Sequence, residues 1–135
     1  MPSNGPPLGQ LSIVLVEDSA EDAELIQDML LDAGLSASFQ RVDDEAGLLD
    51  ALGNGPVDIV LSDLSMPGFS GMRALSIVRE CFPHVPLVFV SGTMGEELAV
   101  EALRQGAADY ILKHVPARLP AAVARAVREA RNDAE

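Results

Sequence analysis

Short apolar runs alternate along the chain with longer stretches of helical periodicity. The runs are five or six residues long and predict strands over residues 11–16, 38–42, 57–62, 86–91 and 109–113. Because these runs are continuously apolar, without alternating polar positions, they are typical of a parallel sheet that is covered on both faces. The pattern therefore predicts an α/β domain with a doubly wound sheet of five parallel strands and five helices.

The first predicted helix has the clearest ends. Ser19 stands three residues before Asp22, in the arrangement of a capping box, and Gly34 marks the end of the helix. The apolar positions that indicate the five helices are Ile26, Met29, Leu30 and Ala33; Leu48, Leu49 and Leu52; Leu75, Val78 and Phe82; Ala99, Ala102, Leu103 and Gly106; and Leu119, Ala122, Val123, Ala126, Val127 and Ala130.

The two ends of the chain fall outside this pattern. Residues 1–10 combine prolines and glycines without apolar periodicity, which predicts a flexible lead-in. The 135 residues suit one domain, which we expect over residues 11–131, followed by a short tail over residues 132–135.

Composition excludes several classes of protein. The net charge of −12 argues against a nucleic-acid binder, which needs a basic surface for phosphates. No apolar run approaches the roughly 18 residues of a membrane span. The single cysteine, Cys81, forms neither an internal disulfide nor a metal-binding set, and it is expected to be a small buried residue. The sequence therefore favours an unexported protein of the cytoplasm that does not insert into membranes.

Chemically distinctive side chains follow four of the predicted strands. Glu17 and Asp18 follow the first strand, Asp63 follows the third, Ser91 ends the fourth and Lys113 ends the fifth. In doubly wound sheets the functional crevice lies beyond the carboxyl ends of the strands. We therefore expect three carboxylates, a hydroxyl and an amine at one edge of the sheet.

Three carboxylates at one place repel one another unless a cation lies among them. Oxygen ligands without His or Cys favour Mg²⁺. Asp18 and Asp63 are expected to bind it directly and Glu17 through water, with a backbone carbonyl near Ser65 as a further ligand.

A carboxylate beside Mg²⁺ can act as the nucleophile towards a phosphoryl group. Asp63 is the best placed for this, because the LSMPGFSG segment that follows it contains Pro67, Gly68 and Gly71. These residues predict an open loop and an exposed carboxylate at the mouth of the crevice.

The segments VLVEDS, LSDLSMPGFSG, VSGT and ADYILK, in this order and spacing, resemble the receiver domain of two-component response regulators over about residues 11–131. The resemblance implies a flavodoxin-like sheet of order 2-1-3-4-5 and Mg²⁺ as cofactor. It also implies these roles: Asp63 as phosphoacceptor, Ser91 as switch hydroxyl, Lys113 as phosphate-sensing lysine, Tyr110 as aromatic switch, and Glu17 and Asp18 as the acidic pair.

The same resemblance implies partners. A sensor histidine kinase or a phosphotransfer protein would donate the phosphoryl group, and phosphorylation would remodel the surface of helix four, strand five and helix five. The domain would catalyse its own phosphorylation and dephosphorylation without being a turnover enzyme. The downstream effector and a phosphorylation-dependent dimer are left open.

One departure from the family concerns the residue after Lys113. The family usually has proline there, through a cis peptide, whereas this chain has His114. A cis bond before a non-proline residue costs about 3 kcal/mol, which predicts a trans bond. Ser65 and Thr93, two residues after the acceptor and the hydroxyl, are expected to flank the attacking water.

Three other functions remain as alternatives. The chain could be a receiver-like interaction module of a hybrid sensor kinase or another multidomain protein. A phosphatase of the haloacid dehalogenase type also has a nucleophilic Asp after a strand, but it expects a second Asp where this chain has Ser65. A flavodoxin-like binder of flavin or nucleotide would need a phosphate-binding glycine loop after the first strand, where this chain has Glu17 and Asp18.

Overall fold

A computed structural model describes residues 8–92 and 95–134. The strands are β1 (Leu11–Val16), β2 (Ala37–Val42), β3 (Ile59–Ser62), β4 (Leu87–Ser91) and β5 (Asp109–Leu112). The helices are α1 (Ala20–Asp32), α2 (Glu45–Gly53), α3 (Gly71–Cys81), α4 (Glu96–Arg104) and α5 (Leu119–Ala134), with a 3₁₀ turn at Pro116–Arg118 before α5. The alternation of strands and helices agrees with the prediction, and α5 includes residues 132–134, which the sequence pattern assigned to a tail.

The five strands form one parallel sheet in the order β2-β1-β3-β4-β5. The predicted fold class and strand order are confirmed. From β1 the chain passes to β2 on one side of β1, and it then crosses to β3 on the other side and continues outward to β4 and β5. The strand order therefore reverses between β1 and β3. In such sheets this switch point opens a crevice at the carboxyl edge.

Two apolar cores lie on the two faces of the sheet, which explains why the central strands lack polar alternation. One core joins the sheet to α1 and α5, and the other joins it to α2, α3 and α4. The predicted apolar stripe of α5 is buried at Leu119, Ala122, Val123, Ala126 and Val127. In α4 only Ala102 is buried.

Some positions in the helical patterns are exposed. Leu49 and Leu103 keep 40% and 46% of their surface accessible. The expectation that Cys81 is buried is wrong, because this last residue of α3 is exposed. Phe82, the next residue, packs against the core in its place.

Both ends of the described chain meet at the amino edge of the sheet. Asp58, just before β3, accepts a hydrogen bond from the Ser12 amide at 2.7 Å. Arg131 of α5 contacts the other oxygen of Asp58 at 3.5 Å and donates to the Leu8 carbonyl at 3.0 Å. In the described ranges no helix combines the length and apolar character that crossing a bilayer requires.

Candidate functional site

Backbone hydrogen bonds extend the sheet just beyond three strands and fix where the polar side chains begin. The amide of Glu17 donates to the Val42 carbonyl, and the amide of Asp63 donates to the Val16 carbonyl, both at 2.9 Å. The amide of Lys113 donates to the Ser91 carbonyl at 2.8 Å. The sheet therefore holds these residues at its carboxyl edge, as the sequence pattern predicts.

The predicted carboxylates lie together. Glu17, Asp18 and Asp63 each offer an oxygen, and these oxygens lie within 4.8 Å of one another. Glu17 is 2% exposed and Asp63 is 8% exposed, whereas Asp18 is exposed to solvent. A set of mutually repelling oxygen ligands with one open side suits a hard divalent cation such as Mg²⁺.

Lys113 lies against this cluster. Its Nζ is 2.7 Å from Glu17 Oε1, 2.7 Å from Asp22 Oδ2 and 3.1 Å from Asp63 Oδ2. Burial of the amine opposes its charge, but the hydrogen bonds to Asp22, Glu17 and Asp63 outweigh burial and raise the pKa of Lys113 above its ordinary value. The ammonium is therefore charged throughout the physiological range.

Glu17 is the most buried carboxylate of the cluster. Burial raises its pKa, and the hydrogen bonds from Lys113 and from the Ser19 amide offset part of this effect. An Arg41 guanidinium nitrogen on β2 also donates to the Glu17 carbonyl at 3.2 Å. A bound cation would relieve the cost of holding this carboxylate charged.

The expectation of an exposed Asp63 carboxylate is wrong. The loop after Asp63 folds back onto the domain, because Leu64, Met66 and Phe69 are all buried. Asp63 Oδ1 accepts a hydrogen bond from the Ser65 amide at 3.2 Å, and Oδ2 contacts Lys113. The side chain keeps only 10% of its surface accessible.

Gly71 allows this loop to close. It is the buried first residue of α3 and not part of an open loop, and its amide donates to the Leu64 carbonyl at 3.0 Å. A Cβ at this position would lie 2.5 Å from the Asp63 carbonyl oxygen and 2.6 Å from Leu64 Cα. Only glycine therefore lets α3 begin directly against the backbone of the predicted acceptor.

The remaining predicted residues lie on the neighbouring strands. Ser91 is fully buried and pairs in register with Leu112. Tyr110 is partly buried, with its ring centroid 6.4 Å from that of Phe89. No cis peptide occurs in the described ranges, so the predicted trans bond between Lys113 and His114 is confirmed. Thr93 lies outside the described residues.

Asp22 is a member of the site that the sequence pattern did not indicate. The sequence indicates Asp22 only as part of the helix start, and its amide does donate to the Ser19 hydroxyl at 3.2 Å. Its side chain turns to Lys113, which is 91 positions away in the chain. Only the tertiary fold brings the start of α1 close to Lys113, which follows β5, and helical periodicity alone carries no signal for it.

Comparison with known proteins agrees with this geometry. Residues 13–124 match the response regulator receiver domain, and the chain belongs to this family. It is 38% identical to the response regulator protein FleR of Pseudomonas aeruginosa over 106 residues, and 34% identical to the regulatory protein LuxO of Vibrio vulnificus over 125 residues. These matches cover 78% and 90% of this chain.

The chain corresponds to a small part of those relatives, 22% of FleR and 27% of LuxO. Among solved structures, a response regulator receiver domain protein from Clostridium thermocellum superposes with a TM-score of 0.78 at 25% identity. That superposition covers 90% of this chain and 97% of the other. The receiver domain is therefore the unit that all these proteins share.

Proposed function

We propose that this receiver domain accepts a phosphoryl group on Asp63 from a sensor histidine kinase or a phosphotransfer protein, in the cytoplasm. The observation that carries the proposal is the convergence of Glu17, Asp18 and Asp63 with the ammonium of Lys113 at one edge of the sheet. Asp63 follows β3, the middle strand of the sheet, and its two carboxylate oxygens contact the Ser65 amide and the Lys113 amine.

In the proposed reaction, a carboxylate oxygen of Asp63 forms a bond to phosphorus as the bond between phosphorus and the donor's imidazole nitrogen breaks. The electron pair of the broken bond stays on the imidazole. Glu17, Asp18, Asp63 and the Ser65 carbonyl would hold Mg²⁺, which when bound offsets the charge on the transferring oxygens. Lys113 contributes a second, permanent positive charge beside the acceptor. Water then forms a bond to phosphorus as the bond between phosphorus and the Asp63 oxygen breaks, which releases inorganic phosphate and restores the carboxylate.

The proposed readout uses the two residues on the neighbouring strands. The Ser91 hydroxyl would bind the phosphoryl group. The partly buried Tyr110 ring would move inward, towards the apolar core that contains Phe89. Both movements would change the surface formed by α4, β5 and α5. Because only the phosphorylated protein offers the new contacts, phosphorylation would shift the population between two packings.

The alternatives have less support. A receiver used only for interaction would not need a complete set of carboxylates around a partly buried lysine. A haloacid dehalogenase-type phosphatase would need a second carboxylate at position 65, where this chain has serine. A flavin or nucleotide phosphate at the end of β1 would meet the carboxylates of Glu17 and Asp18.

Incubation with Mg²⁺ and acetyl phosphate tests the proposal without a cognate kinase. We expect a single phosphoryl adduct by intact mass measurement, which hydroxylamine removes and which EDTA prevents. An untreated sample and one with acetyl phosphate replaced by acetate serve as controls. A wild-type protein that stays unmodified, or an adduct that resists hydroxylamine, would refute the proposed acceptor chemistry.

Ser65→Arg is expected to slow the loss of the phosphoryl group about five- to tenfold. Ser65 is exposed and two residues from Asp63, so a long side chain there would obstruct the water that must approach the phosphorus in a defined orientation. The measurement is the decay of the adduct after removal of acetyl phosphate. Ser38→Arg, at another exposed site on β2, should leave the decay unchanged, and equal decay in both variants would contradict the placement.

A further inference from the structure

The amine of Lys113 is shared among carboxylates that differ in one respect. Glu17 and Asp63 also belong to the group of oxygens that suits a divalent cation, whereas Asp22 does not. Nevertheless Asp22 Oδ2 is as close to the amine as Glu17 Oε1, at 2.7 Å, and closer than Asp63 Oδ2, at 3.1 Å. One of the two shortest ion pairs of Lys113 is therefore made with Asp22, which is not among the proposed ligands of the cation.

An ammonium and a divalent cation compete for the same carboxylates. Each neutralises the charge that attracts the other, and the two positive charges repel at short range. A lysine that bound only Glu17 and Asp63 would oppose the cation most strongly. A third carboxylate draws the amine to one side and offsets its charge.

The position of Asp22 is well fixed for this purpose. It lies in the first turn of α1, and its amide donates to the N-cap hydroxyl of Ser19. The Ser19 amide in turn donates to Glu17 Oε2 at 3.1 Å. The start of α1 and the cluster are thus linked through consecutive hydrogen bonds, and the Asp22 side chain is 39% exposed on the outer side of the amine.

We propose that Asp22 is a positioning residue that holds the Lys113 amine partly away from Glu17 and Asp63 and so leaves these carboxylates available to Mg²⁺. The inference rests on the metal site of the proposed function, and it concerns the protein before phosphorylation. Without the Asp22 carboxylate, the amine would be shared between Glu17 and Asp63 alone. Mg²⁺ would then compete with the amine for both Glu17 and Asp63, and the amine would no longer have the Asp22 carboxylate as a partner.

The expected result is that Asp22→Asn weakens Mg²⁺ binding about three- to tenfold, the scale of one charge acting at short range near the protein surface. Binding is measured calorimetrically with MgCl₂ alone on the unphosphorylated chain. The ionic strength is 0.15 M, at which the Debye length is about 8 Å, so that charges farther from the site are largely screened. Glu21→Gln is the matched control, because it also removes an acidic side chain from the first turn of α1 and has the same effect on the helix dipole. We expect it to change binding less than twofold.

A double-mutant cycle with Lys113→Met separates action through the lysine from direct attraction of the cation. In the Lys113→Met background, Asp22→Asn should have little further effect on Mg²⁺ binding. A second readout is the ¹⁵Nζ resonance of Lys113, identified by its absence in Lys113→Met, which should shift in metal-free Asp22→Asn and not in Glu21→Gln.

The outcomes are distinct. Equal weakening in the wild-type and Lys113→Met backgrounds, or an unmoved ¹⁵Nζ resonance, would overturn the positioning role while leaving the metal site intact. Wild-type protein that binds no Mg²⁺ at millimolar concentration would overturn both the metal site and this inference. Failure of acetyl phosphate to modify Asp63 would affect neither measurement, because no phosphodonor is present.

Discussion

Asp63→Asn will take up no detectable phosphoryl group under conditions in which the wild-type protein is modified by acetyl phosphate. The neutral amide lacks the negative charge that makes the carboxylate a nucleophile. Its oxygen can still accept the Ser65 amide, so the local backbone should be retained. Intact mass measurement after equal incubation with Mg²⁺ compares the two proteins directly.

Asp43→Asn is the control for this substitution. Asp43 directly follows β2 at the same edge of the sheet and is exposed, and the charge change is identical. It should be modified as the wild type is. An adduct of similar amount on Asp63→Asn would show that another side chain is the acceptor and would refute the assignment.

Gly71→Ala should lower the free energy of unfolding by about 2–3 kcal/mol, the upper part of the usual range of about 1–3 kcal/mol for an overpacked buried site. The added Cβ would meet two backbone atoms, the Asp63 carbonyl oxygen and Leu64 Cα, and also Phe89 Cε1 at 2.9 Å. Backbone cannot rotate away as a side chain can, so α3 or the loop after Asp63 must move. Denaturant unfolding measures the loss, and slower phosphorylation should accompany it because the acceptor is displaced.

Gly53→Ala is the matched control in another helix. Gly53 is the last residue of α2, and a Cβ there would meet nothing within 4 Å. Since alanine restricts the unfolded chain more than glycine does, this change should be neutral or slightly stabilising. Equal unfolding free energies for the two variants would contradict the steric account of Gly71.

The sequence predicts the sheet and much of the site because both follow from local pattern. Continuous apolar strands can be recognised without partners, and the polar residues that follow them converge because parallel strands end at one edge. Glu17, Asp18, Asp63 and Lys113 are brought together for this reason. The chemical roles of these residues are proposals, which the experiments described above test.

Other features depend on contacts between distant segments, which a local pattern does not carry. The burial of Asp63 arises from a loop that packs back, although its glycines and proline predict an open one. Gly71 is needed for the approach of a helix and not for a turn. Asp22 at the start of α1 reaches Lys113 only through the tertiary fold, and the apolar pattern of α3 does not indicate that Cys81 is exposed.

The contacts of Arg131 with Asp58 and Leu8 have a practical consequence for labelling. It holds both ends of the described chain at the amino edge, and β1, with six residues at about 3.3 Å each, places the carboxylate crevice roughly 20 Å away. A fluorophore on α5 near Arg131 would therefore leave the approach to Asp63 clear. Any response of its signal to phosphorylation would report movement of α5, which belongs to the surface that the proposed switch changes.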